Sequence, residues 1–347
     1  MAEAPAPLPS PSPAARALRR IWPVARVLVG VGLLVLLCRR VEWSVLVRTA
    51  RELDVAALAA AVVAGATALL LTGLRWRLLV QALGMTVSIR TACAAMWEGY
   101  FFSQFLPTQV GGDVYRVHRI WRETGHLTLV ATSVLVDRIL GTMSLLLFCA
   151  LGAALSPNLA QTKAAAFSLA SLCVLLVAGA VLLFSLPAIR LPAAAHDGGA
   201  RGLRGKLWRV VVRLQEAARA YRAARGALLA AGGLALLVQV ANVAWAYFSF
   251  AATGHHASWA DAAALMNLGM LVGMVPISIA GLGLQEGTWV GLSQTIGLTK
   301  EAALGAALLL RLVRLLLAGA GGLSYLLHRA PPAAAPPEER AEPPLTG

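Results

Sequence analysis

The chain has 347 residues, 59% of them hydrophobic and only 13% charged, with a mean hydropathy of +0.72. A soluble domain carries about a quarter charged residues, so this composition excludes a soluble protein and defines an integral membrane protein. The net charge of +14 raises nucleic acid as a partner. The basic residues lie beside apolar runs, however, where they orient helices and meet anionic lipid headgroups, so nucleic acid is set aside.

Residues 1–20 form a Pro/Ala-rich leader predicted to be disordered, with Arg16, Arg19 and Arg20 just before the first apolar run. That run ends at Cys38-Arg39-Arg40 without a small-residue cleavage pattern, so it reads as an uncleaved anchor. A helix needs about 20 apolar residues to cross the hydrocarbon core. By that measure the clear spans are about 21–38, 55–74, 127–152, 165–187, 228–252 and 302–327. Two further apolar regions are interrupted. One covers about 91–115 and is broken at Pro107 and Gly111-Gly112. The other covers about 260–297 and is broken around "PISIAGLGLQEG", which holds Pro276, Gly281 and Gly283.

The expected fold is therefore all-α: a polytopic membrane helix bundle of about seven to eight spans, two of them broken or re-entrant. It forms a single transmembrane domain over 21–328, followed by a disordered Pro/Ala/Glu tail at 329–347.

Lysine and arginine set the orientation. The segment 188–226 is the most basic, and Arg75, Arg77 and Arg90 mark a second inside connection, as do Arg116, Arg119 and Arg122. Both termini are then cytoplasmic and the 91–115 element enters and leaves from the inside of the inner cell membrane. Arg39, Arg40, Arg48 and Arg51 run against this pattern. Within the basic loop, "KLWRVVVRLQEAARAYRAAR" places Leu207, Val210, Val211, Leu214, Ala218 and Tyr221 on one helical face. That pattern suits a helix lying on the inner leaflet, with a solvated cytoplasmic helix as the alternative.

Ionisable groups at membrane depth cost several kcal/mol and face partners, a cavity or a substrate path. Here they are Glu98, Asp113, Arg116, Asp137, Arg138, Glu286, Arg311 and Arg314. Acids and bases nearly balance, so interior ion pairs are one reading. Asp137 and Arg138 are adjacent and point about 100° apart on a helix, so they cannot share one partner. Arg311 and Arg314 lie one turn apart and form a cationic stripe that one carboxylate would not neutralise. Guanidinium groups bind phosphate through forked hydrogen bonds, so a phosphate-bearing lipid headgroup fits.

The two broken segments share a pattern of Pro, small residues, paired glycines and an acid. Irregular backbone at membrane depth is tolerated where it is buried or lines a cavity, and interrupted helices in both halves of a chain point to a binding site. Exposed amides there can cradle an anion, while hinges or tight helix crossings are the plainer reading. No Gly-Lys-Ser/Thr follows either glycine pair, so nucleotide binding is rejected.

Cys38, Cys93, Cys149 and Cys173 have no metal-binding spacing, and His255-His256 reads as a polar turn. The expected cofactors and metals are none, and no hydrolase or metalloprotease motif assigns a catalytic residue.

"FFSQFLPTQVGGDVYRV", "VDRILGTMSL" and "PISIAGLGLQEG", in that order, resemble the lysylphosphatidylglycerol synthase transmembrane region family, whose members are also described as flippase-like. The resemblance covers about 20–328. It implies a bundle of roughly eight helices with re-entrant pieces that works on phospholipids or polyprenyl-phosphate-linked lipids. Pro107, Gly111, Gly112, Asp113 and Arg116 match its first motif, Asp137 and Arg138 its second, and Gly281, Gly283 and Glu286 its third. The chain departs at Ser103, where the family often has asparagine, and at Gln285, where it often has arginine. The related resistance proteins end in a soluble aminoacyl-transfer domain, while this chain ends soon after its last apolar run. The expectation is therefore a lipid translocase and not the transferase.

Two other readings stay open. One is a membrane enzyme of lipid-linked glycosyl transfer with Asp113 or Glu286 as base or metal ligand. The other is a non-catalytic partner whose basic loop docks a separate lipid-modifying enzyme.

Overall fold

A computed structural model describes residues 51–105, 110–156, 158–159, 221, 224–275 and 277–327. The leader, the spans read at 21–38 and 165–187, nearly all of the basic loop, Pro107, Pro276 and the tail lie outside the described residues, as do Cys38 and Cys173. The described chain is all-α, with eight α-helices and no strand: α1 (Val55–Ala82), α2 (Ile89–Phe105), α3 (Val110–Thr124), α4 (Leu127–Leu155), α5 (Arg225–Ala252), α6 (Trp259–Gly273), α7 (Leu284–Ser293) and α8 (Lys300–Leu327). Among them α1, α4, α5 and α8 are long and apolar enough to cross a membrane, as their sequence patterns predict. The chain is thus a multi-pass membrane protein.

Local chemistry fixes where these helices start. Asp54 caps α1, its Oδ1 accepting from the amides of Ala56 and Ala57 at 2.8 and 3.2 Å, which satisfies donors that have no intrahelical partner. The Asp54 amide in turn donates to the Ala252 carbonyl at 3.0 Å, tying the start of α1 to the end of α5. Ser258 caps α6, and the Asp261 carboxylate accepts from both Ser258 and Ser156, which joins the end of α4 to the start of α6.

One expectation is corrected along α1. The predicted span stops at residue 74 and treats Arg75 and Arg77 as loop charges, yet the helix continues to Ala82 and buries Arg75 with Trp76, Leu79 and Val80. A side chain that finds a carboxylate partner does not have to end an apolar helix, and Arg75 finds one.

The core has two main parts. One gathers Ala61, Trp245, Phe250, Met266, Trp289 and Leu310, from five helices. The other gathers Trp76, Leu79, Ala95, Ile120, Val130 and Val134. Along α1, Gly65, Ala68, Thr72 and Arg75 fall between these two clusters, and this is where a cavity opens.

The two broken regions differ in structure. In the first, α2 ends at Phe105 and α3 begins at Val110, so Gly111 and Gly112 lie in the first turn of a helix and not in a non-helical turn. Gly112 is there because α2 and α3 cross almost backbone to backbone: an added Cβ would collide with the carbonyl of Gly99. In the second, α6 and α7 have 15 and 10 residues, about 22 and 15 Å at 1.5 Å per residue, each short of a roughly 30 Å core. The backbone between them turns through left-handed conformations at Ala280 (φ 49°), Gly281 (φ 69°) and Gly283 (φ 78°). For alanine such a conformation costs about 1–2 kcal/mol, so surrounding contacts hold it. Trp289 ties α7 to its neighbours, donating to the Leu265 carbonyl at 2.9 Å and stacking on Phe250.

Close packing also sets how α8 meets α2. A Cβ on Gly321 would run into the backbone carbonyl of Trp97, whereas one on Gly319 would meet nothing within 4 Å. Gly321→Ala should therefore destabilise the bundle by about 1–3 kcal/mol, and Gly319→Ala should leave it intact. Thermal unfolding of the two purified variants in detergent distinguishes them, and equal melting temperatures would contradict the packing.

Candidate functional site

The cavity between the two cores has a volume of about 260 Å³. Helix α1 contributes Gly65, Ala68, Thr72 and Arg75, α2 Tyr100 and Ser103, and α3 Gly112, Asp113 and Arg116. Asp137, Arg138 and Gly141 come from α4, Gln239, Asn242 and Trp245 from α5, and Arg314 from α8. The segment from Gly269 to Gln285 closes another side.

Its charged residues form an alternating chain. Arg75 Nε donates to Asp137 Oδ1 at 2.7 Å, and Arg116 Nη1 donates to Asp137 Oδ2 at 3.2 Å. The same Arg116 donates from Nη2 to Asp113 Oδ1 at 2.5 Å. Arg138 then closes on Asp113 as a fork, with Nε to Oδ2 at 2.7 Å and Nη2 to Oδ1 at 2.9 Å. Arg75, Arg116 and Asp137 are only 5%, 3% and 3% exposed. Such charges are stable in apolar surroundings only with close, well-directed partners. Asp137 and Arg138 do take different partners, as their 100° offset requires. Trp76 adds a ring 4.9 Å from the Arg116 guanidinium, a cation–π contact.

Arg314 stands apart from this chain. It lines the same cavity beside the Tyr100 hydroxyl, and among the described residues it has no carboxylate within ion-pair distance. Three buried donors on the lining also lack a hydrogen-bond partner: Arg75 Nη1, Trp245 Nε1 and Gln285 Nε2. Buried polar atoms are nearly always paired. Among the described residues the cavity's charged lining is four arginines against two aspartates, a surplus of positive charge that suits an anionic group.

The sequence pattern of the lysylphosphatidylglycerol synthase TM region matches residues 24–322. The chain belongs to that family. No curated protein matches it.

In this lysylphosphatidylglycerol synthase TM region, the residues singled out from sequence fall into two groups. Asp113, Arg116, Asp137, Arg138, Arg314 and Gly112 line the cavity. Glu98, Glu286, Arg311, Gly111, Gly281 and Gly283 do not, and Pro107 and Pro276 lie outside the described residues. Glu286 is engaged elsewhere: its Oε2 accepts from the Gly283 amide at 2.8 Å, closing the first turn of α7, while Oε1 pairs with Arg311. The Gly283 amide is thus used within the protein. Glu98 is fully buried and accepts from Tyr115 and from Ser324, joining α2 to α3 and α8.

Sequence reasoning missed Arg75, Trp245, Gln239 and Asn242. The signal for Arg75 was available in "TGLRWRLLV", where apolar residues continue on both sides of it. Gln285 was noted only as a departure from the family pattern, and it proves to line the cavity, with its side-chain nitrogen buried and without a hydrogen-bond partner.

Asp137 bridges two buried arginines, so Asp137→Asn leaves Arg75 without a counter-charge and Arg116 with Asp113 alone. We expect a loss of about 3–5 kcal/mol, read as a lowered melting temperature in detergent. Adding Arg75→Gln should recover part of it, because coupled residues are non-additive by about 0.5–3 kcal/mol. Strict additivity of the two changes would show that the pair does not interact.

Proposed function

We propose that this protein binds the phosphate of a membrane lipid in the inter-helix cavity and moves that lipid across the inner cell membrane, with both termini cytoplasmic. The lipid is a phospholipid or a polyprenyl-phosphate-linked lipid, and 21–328 works as one transmembrane domain. The observation that carries this reading is the cavity's charge: Arg75, Arg116, Arg138 and Arg314 against Asp113 and Asp137. An intramembrane site with excess positive charge asks for an anion. Forked guanidinium groups suit phosphate oxygens, and the anion with ready access from the bilayer is a lipid headgroup.

Size supports the same reading. Pockets that enclose a whole drug-sized ligand run to roughly 300–1,000 Å³. A cavity of about 260 Å³ takes a headgroup and leaves acyl chains to the lipid phase. The two interrupted regions border it, at Gly112 and Asp113 on one side and at Ala280 and Gln285 on the other. That is the arrangement in which broken helices serve a substrate path.

The enzymatic alternative asks Asp113 or Glu286 to act as base or metal ligand. Both oxygens of Asp113 already accept from Arg116 and Arg138, and both oxygens of Glu286 are taken by Arg311 and Gly283. These engagements favour binding and transport over bond-making.

The test is reconstitution into vesicles carrying fluorescent phospholipids, with translocation followed by quenching of the outer leaflet. Wild-type protein should exchange anionic phospholipids faster than empty vesicles do. Arg314→Gln should slow that exchange by about tenfold or more, the scale of one lost hydrogen bond to a charged group. Because Arg314 lies outside the ion-pair chain, the substitution leaves the network whole. Rates equal to those of empty vesicles across a broad lipid panel would refute transport.

A further inference from the structure

The cavity's charge does more than ask for a phosphate; it sets how much negative charge that phosphate carries. Four arginines and two aspartates line it among the described residues, so two positive charges stand without a counter-charge. A phosphodiester headgroup such as phosphatidylglycerol brings one negative charge and two free oxygens. A terminal phosphomonoester brings close to two charges at neutral pH and three free oxygens.

Resting on the reading that this cavity holds a lipid phosphate, we propose that it selects a headgroup ending in a doubly charged phosphate, and that Arg314, Trp245 and Gln285 are the residues that discriminate. The unpaired donors are the second observation. Arg75 Nη1, Trp245 Nε1 and Gln285 Nε2 belong to side chains only 5%, 3% and 5% exposed, so water does not satisfy them cheaply. With Arg314 they make four donor groups in the cavity wall, against two free oxygens in a diester and three in a terminal phosphate.

Among the described residues the lining holds no carboxylate that is not already engaged by arginine. Asp113 and Asp137 each accept from two arginines, so an ammonium group entering here meets guanidinium charge and finds no carboxylate of its own. Like-charge contacts of this kind are how a site rejects a wrong partner. An aminoacylated headgroup, with its added amine, is therefore disfavoured.

Binding of short-chain lipids to the purified full chain in detergent tests this without any transport step. Dioctanoyl phosphatidic acid should bind about tenfold tighter than dioctanoyl phosphatidylglycerol, equivalent to about 1.4 kcal/mol, and lysyl-phosphatidylglycerol should bind weakest. The preference should grow as pH rises from 5 to 8, because the second phosphate proton leaves near pH 6. Glycerol 3-phosphate and inorganic phosphate separate the source of the ligand: weaker binding than phosphatidic acid assigns the site to lipid, equal binding to a soluble phosphate.

Arg314→Gln should bring the two lipids to similar affinity. Trp245→Phe, which keeps the ring and removes the donor, should narrow the ratio even where the arginine variant folds poorly. Equal affinity of the wild type for phosphatidic acid and phosphatidylglycerol, or tightest binding of the lysylated lipid, overturns the proposal. Preserved selectivity with no translocation would instead refute transport and leave the selectivity standing. Failure of every phosphate-bearing lipid to bind would remove both.

Discussion

Three arginines and two aspartates, alternating from Arg75 through Asp137, Arg116 and Asp113 to Arg138, hold α1, α3 and α4 together inside an apolar bundle. The order of the chain matters more than its length. It begins and ends on a cation, so it cannot neutralise itself. Each aspartate is saturated by two arginines, and the surplus charge has to face somewhere. It faces the cavity, where Arg314 adds to it from α8. A bundle needing only structural ion pairs would be served by equal numbers, as Glu286 and Arg311 show a short distance away.

That contrast separates two regions that look alike in sequence. Each has a proline, glycines and then an acid. In the first, Asp113 leaves its own helix start and joins the charge chain. In the second, Glu286 folds back on the Gly283 amide and pairs with Arg311, so the acid is spent on holding the left-handed turn in place. What the second region gives the cavity is shape and one donor, Gln285. Its glutamine amide presents hydrogen-bond capacity without a further buried charge, which matters where two arginine charges are already uncompensated.

The helical class, the four long described spans and most of the ionisable residues at membrane depth were legible in the sequence, because apolar length and the cost of buried charge are local properties. The family motifs gave Asp113, Arg116, Asp137 and Arg138 together, and these do line one cavity. Arg75 was lost because a charge at the end of an apolar run looks like a loop marker. Its burial depends on Asp137 in α4, a pairing that spacing along the chain does not reveal. Gly111 and Gly112 were read as a break because paired glycines disfavour helix, yet the close approach of Gly99 to Gly112 is a tertiary demand that outweighs propensity. Trp245, Gln239 and Asn242 carried no signal, since polar and aromatic residues within a long apolar span are common and only the neighbouring helices decide which of them faces the cavity.

If the cavity carries a lipid phosphate, as proposed, its half-neutralised state also bears on release. A site that carries a lipid from one leaflet to the other must bind its headgroup and then let it go. Four bare arginines would hold a phosphate too well, because charge–charge attraction rises steeply where water is excluded. Two aspartates reduce the field to roughly what one doubly charged phosphate balances, and they fix the guanidinium groups in position so that little reordering accompanies binding. Arg138 is the member of the chain best placed to exchange, because its side chain is 42% exposed while Arg75 and Arg116 are buried. A phosphate arriving near it competes with Asp113 for the same fork, and as it leaves, Asp113 recovers that fork. On the proposed reading, partial self-neutralisation would keep the bundle stable between binding events and make departure of the headgroup a substitution of one ion pair for another.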